Sequence, residues 1–185
     1  GPLITADLTR TGSGRGALPD AQSVWDERLR TLETEFVREP KGAATGPLAV
    51  EAPLTIPALG ERRDFHVFGS SGGFTDVTAV AEYIGSEAVL FVDESAPAGG
   101  YAQADLQFFS DMFDEIIHPS VTANFGAVSD LDANDRVAIL FTPAVNSLTP
   151  RGASGFVGGF FFGLDLLPER DNSNGAEIFY ALVPD

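Results

Sequence analysis

The stretch Ser129–Pro143, SDLDANDRVAILFTP, constrains this chain more than any other. It begins with side-chain oxygens on alternate residues, Asp130, Asp132 and Asn134, and then runs into Val137, Ile139, Leu140 and Phe141. A turn of that kind can gather a hard cation or cap its own backbone. The apolar run is too short for a helix and rich in strand formers, so it predicts a buried strand. Turn and strand together predict a pinned start to a strand in the middle of a sheet.

The three oxygens match the first, third and fifth positions of a helix–loop–helix calcium loop, and Val137 matches the apolar eighth. Arg136, at the seventh, completes the candidate calcium set of Asp130, Asp132, Asn134 and Arg136. The sixth position, where a sharp turn wants glycine, is Asp135, and the twelfth, where a bidentate Glu belongs, is Phe141. A full loop of that type is therefore excluded. Two readings stay open: a partial calcium site completed by donors from elsewhere, and an Asx-type turn that only caps a strand.

Upstream, Trp25, Leu29, Leu32 and Phe36 fall on one face of a helix, with Asp26, Glu27, Arg28 and Glu33 elsewhere. This predicts an amphipathic helix over about 20–38, capped by Asp20 or Ser23 and docked through its Trp on the main body or on a partner. Residues 39–63 carry four prolines and three glycines and read as a linker or extended arm. Residues 1–63 are thus expected to form an N-terminal extension, and 64–185 a sheet-bearing domain.

From Asp64 the rhythm is β. DFHVF, the turn GSSGG at 69–73, VTAVAEYI at 77–84 and the apolar AVLFV at 88–92 predict strands, the last of them central. Ala104–His118 is the clearest helix, with Leu106, Phe109, Phe113 and Ile116 along one stripe, His118 at its C-terminus and Pro119 as its stop. Strand, helix, acidic turn and strand make a crossover unit. Gly155–Gly163, GFVGGFFFG, is broken by glycines and predicts an edge or bulged strand, and Ala176–Val183 the last strand.

Composition narrows the function classes. With 11 basic and 27 acidic residues the formal charge is −16, which repels nucleic acid and anionic membranes. No apolar run reaches spanning length, so membrane insertion is not expected. The absence of cysteine excludes disulfides, thiolate catalysis and thiolate metal sites. His66 and His118 are the only histidines, and no GxSxG elbow surrounds any serine. GSSGG lacks the lysine and spacing of a phosphate loop. Motifs alone give no catalytic site. Gly1-Pro2 reads as a pair left by a tag-removing protease, so any leader is expected to have been removed.

Three runs, FGAVSDLDANDRVAILFTPAVN, GFVGGFFFGLDLLP and SNGAEIFYALVPD, resemble the hyicolysin-like group of secreted bacterial neutral zinc metallopeptidases. Phe125, Gly126, Asp130, Asp132, Asn134, Asp165, Leu166, Pro168, Ser173, Asn174, Glu177, Ile178, Tyr180, Pro184 and Asp185 stand at the matching places, and the likeness covers about residues 64–185. It implies an α+β fold with a mixed, mostly parallel sheet and one long crossover helix, like the upper subdomain of a zincin. It also implies a secreted or cell-surface bacterial protein acting on peptide or protein substrates.

In that group a helix carrying HExxH follows, with two zinc-binding histidines and the general-base Glu. This sequence contains no HExxH. No catalytic or zinc-binding residue is therefore assigned, and zinc is expected only with a C-terminal part outside this chain, which would then be its partner. Calcium is the other candidate cofactor. The resemblance also makes Gly155, Phe156, Val157, Gly158, Gly159 and Phe160 the candidate edge for an extended peptide. The simpler alternative is that this apolar edge packs against the C-terminal part. A different class stays open too, a non-catalytic, calcium-stabilised binding or structural module with the same sheet.

Overall fold

The computed structural model describes residues 20–38 and 56–184. Residues 1–19, most of the Pro/Gly-rich stretch and Asp185 lie outside the described residues.

Helix α1 (Ala21–Arg38) follows the predicted stripe. Asp20 Oδ2 accepts the Ser23 N–H at 3.3 Å as its cap, and Trp25 and Leu29 are buried, with Leu32 and Phe36 packed beside them. Strands β1 (Arg62–Phe68), β2 (Phe74–Ile84) and β3 (Ala88–Asp93) form an antiparallel meander. GSSGG makes the first turn and Gly85-Ser86 the second. Strand β4 (Val137–Phe141) runs parallel to β3. After a single-turn helix at Pro143–Asn146 come β5 (Gly159–Phe161), a 3-10 turn at Gly163–Leu166, and β6 (Ile178–Ala181).

The six strands lie in the order β1-β2-β3-β4-β6-β5. Of the five pairings, only β3–β4 and β4–β6 are parallel. The expectation of a mostly parallel sheet is therefore corrected: the sheet is mixed and mostly antiparallel. Apolar runs such as AVLFV mark burial on both faces, which β3 has, but burial does not set strand direction. The short turns on either side of β2 do, because only antiparallel neighbours can be joined so tightly.

The sheet curls. Trp25 touches Phe68 on β1 at 6.0 Å between ring centres and Phe160 on β5 at 5.4 Å, so one helix spans both edge strands. Phe65, Phe91, Leu140, Phe162, Ile178 and Tyr180 fill the core on this face. A smaller core of Leu90, Leu106, Ile139, Phe141 and Val183 lies on the other, under the crossover helix.

That helix is longer than predicted. α2 (Gln103–Met112) passes through a π-helical stretch at Phe113–Ile117 into α3 (His118–Phe125). Pro119 was expected to stop it and does not. The wide turn hands over to a fresh helical start, and proline is tolerated in a first turn, where its missing N–H would have no partner. His118 is consequently mid-helix, with Nδ1 3.3 Å from Glu87, rather than at a C-terminus.

Candidate metal centre

The acidic turn sits where β4 begins, and Glu177 immediately precedes β6. The two strands are parallel neighbours, so their starts adjoin, and the Ala138 N–H donates to Glu177 O at 2.8 Å. This brings Glu177 onto the turn: its carboxylate accepts the Leu131 N–H at 3.2 Å. Oxygens of Asp130, Asp132 and Glu177 all lie within 4.8 Å of one another.

Each predicted ligand has a distinct place here. Asp130 is exposed, and its Oδ1 accepts the N–H groups of Asn134 and Asp135 at 2.9 and 3.0 Å, curling the turn. Ala133 and Asp135 adopt φ of 53° and 54°, a left-handed conformation that Asp tolerates better than most residues. Asp132 is 6% exposed; its Oδ2 accepts Asn134 Nδ2 at 2.7 Å and faces Arg63 Nη1 at 3.5 Å. Its Oδ1 is buried and has no hydrogen-bond partner among the described residues.

Asn134 turns its own oxygen to the Arg136 N–H at 2.6 Å, and the Arg136 side chain bonds the carbonyls of Gly85 and Asp135. Asp130 and Asp132 thus converge, whereas Asn134 and Arg136 brace the turn. Glu177, only 3% exposed, is the member that sequence spacing did not reveal.

Burial raises the Asp132 pKa above the ordinary carboxylate value, with Glu177 and Asp130 adding to the effect and Arg63 opposing it. Two carboxylates at about this separation repel by roughly 3 kcal/mol in a medium as polar as a protein's outer shell. One guanidinium at 3.5 Å does not neutralise three of them.

Zinc does not fit the described residues. His66 Nδ1 pairs with Asp76 at 2.7 Å and His118 with Glu87, and among the described residues no histidine joins a group of three metal-ligating side chains.

Two other features flank the turn. An apolar groove of about 640 Å³ lies between the crossover helix and the β4–β6–β5 face. Phe109, Met112, Phe113, Ile117, Phe161 and Phe179 line it, and Glu177 and His118 also face it. The predicted peptide edge is shorter than expected. Only Gly159–Phe161 is strand, residues 155–158 being irregular, with Val157 and Phe160 buried and Phe156 exposed.

Helix α1 side chains hold the backbone of this segment. Gln22 takes the Gly158 N–H at 2.9 Å and the Gly159 carbonyl at 3.0 Å, Arg30 the Phe161 carbonyl at 2.9 Å, and Glu33 the Gly163 N–H at 2.7 Å. A peptide pairing there has to compete with those contacts.

Buried Asp165 and Tyr180 form a network with half-buried Asn174. Asp165 Oδ2 accepts the Tyr180 hydroxyl at 2.6 Å and Oδ1 accepts Asn174 Nδ2 at 2.8 Å, while Asn174 also ties to the backbone of His66. These residues knit β1 to β6.

No family model matches the sequence, and no curated protein matches it.

Proposed function

We propose that this chain is the front part of a secreted zincin-type metallopeptidase, hydrolysing peptide bonds with zinc-activated water. The zinc-binding helix is then supplied by polypeptide outside this sequence. The observation that carries the reading is the apolar groove beside the crossover helix. Phe161 and Phe179 are 36% and 41% exposed on its floor, and Phe125 is 86% exposed near one end. An unfilled strip of that kind fits one amphipathic helix, whose apolar stripe needs an opposing surface. A mixed sheet with one long crossover helix supports this reading.

In this reading the chain supplies the platform and one wall of the cleft. Among the described residues no zinc-binding set is formed, so no chemical step is assigned to them. The non-catalytic alternative, a calcium-stabilised binding module, is favoured by one feature, the acidic turn closed by Glu177.

The test uses a polypeptide continued beyond Asp185 in its natural sequence, assayed for hydrolysis of an unfolded protein substrate. Hydrolysis that chelation stops, and that Phe179→Asp abolishes while the 185-residue chain with the same change still folds, is expected. A continued polypeptide without such hydrolysis contradicts the reading.

A further inference from the structure

We propose that Asp130, Asp132 and Glu177 bind one calcium ion, which ties the start of β4 to the start of β6. Three observations carry this independently of the peptidase reading.

The first is distance. Oxygens that share one calcium at about 2.3–2.6 Å can stand no more than about 5 Å apart. The three carboxylates meet that limit, within 4.8 Å.

The second is an orphaned buried acceptor. The Asp132 side chain is only 3% exposed, yet among the described residues its Oδ1 finds no donor. Buried polar atoms are nearly always satisfied, and an unsatisfied one calls for an ion or a water. Its other oxygen is already engaged by Asn134, which leaves Oδ1 as the one open for a ligand.

The third is charge. Asp132 and Glu177 are both buried beside each other, and among the described residues only Arg63 stands at ion-pair distance, 3.5 Å from Asp132 Oδ2. Buried charges are normally paired or coordinate metals. A dication meets that need.

The donor chemistry selects the ion. All the converging donors are oxygen, which suits hard cations and not zinc or copper. Magnesium keeps much of its water and is generally held by one or two carboxylates in strict octahedral geometry. Three carboxylates on an irregular turn, with water and main-chain oxygens to complete six to eight ligands, suit calcium.

Asp130 and Asp132 need Glu177, 45 positions beyond Asp132, so the ion also reports whether β4 and β6 are correctly paired.

The experiment titrates CaCl2 into the chelator-stripped 185-residue chain, following heat release and thermal unfolding. About one ion per chain and a rise in Tm of about 5 °C at saturation are expected. Asp132→Asn and Glu177→Gln should each lose that rise. Neither should unfold earlier than the parent in chelator, because each removes a repelling charge while keeping an acceptor.

Should either variant fail to fold, Asp130→Asn on the exposed member gives the same reading, with at least a tenfold loss of affinity. No uptake at millimolar calcium would overturn the proposal, as would full uptake by the variants. An equal response to magnesium at equal concentration would overturn the choice of ion.

Discussion

Tyr180 donates its hydroxyl to Asp165 Oδ2 at 2.6 Å, and both side chains are buried. Burial raises the Asp165 pKa, with Tyr180 and Asn174 working against the rise by bonding its charged form. Tyr180 itself is pushed well above the ordinary phenol value, first by burial and then by Asp165. The phenol is therefore a fixed donor at any ordinary pH.

Tyr180→Phe keeps the ring, which stacks on Phe160 at 4.8 Å, and removes a hydroxyl that donates to Asp165 and accepts from Asn174 Nδ2 at 3.0 Å. Leaving the buried Asp165 oxygen short of a partner should cost about 1–3 kcal/mol, measured by chemical denaturation. A neutral result would mean that water replaces the hydroxyl.

Trp25 joins the two edges of the curled sheet. Among the described residues its indole Nε1 has no hydrogen-bond partner, so the ring acts through packing and through the Arg28 guanidinium 5.8 Å above it. Trp25→Phe should cost less than Trp25→Ala, for which about 3–5 kcal/mol is expected. It is the only Trp in the chain, so its emission should be blue-shifted when folded and should shift red in step with circular dichroism. Separate transitions would mean that α1 undocks before the sheet unfolds.

Asp132 links stability to pH. Its pKa is raised in the folded chain, so above the ordinary Asp value, and up to the raised one, the folded state holds more protons than the unfolded state. Stability contributed by this group therefore falls as pH rises through that window, and levels off above it. Asp165 acts with the same sign, so the difference between parent and Asp132→Asn isolates Asp132. In chelator, that difference should shrink as pH drops from 7 toward 4. With calcium the sign reverses for the parent, since the ion binds the deprotonated carboxylate. Denaturation midpoints across this range, with and without calcium, check both slopes.

Local pattern made several elements legible. The 25–29–32–36 stripe marked α1 because a docked helix must bury one face, and the apolar run at 137–141 marked an interior strand. What depended on topology was hidden. Glu177 looks like one acidic residue among many until the parallel pairing of β4 and β6 sets it beside Asp132. Asp165 and Tyr180 meet only because the chain loops back between β5 and β6.

Pro119 misled for a local reason, since a proline that ends one helical ladder can also begin another. The glycines at 155–163 suggest an edge or bulged strand; β5 does lie at the sheet edge but spans only Gly159–Phe161. A Cβ at Gly159 would meet the Tyr180 carbonyl at 2.6 Å, the close backbone approach that a strand glycine permits.

The most direct test of the central claim is zinc content, measured on the 185-residue chain and on the same chain carried on into its natural continuation. No stoichiometric zinc is expected on the first, and about one zinc per chain on the second, together with peptide hydrolysis. A continued chain that folds, holds calcium and takes up no zinc would contradict the peptidase reading and leave a binding module.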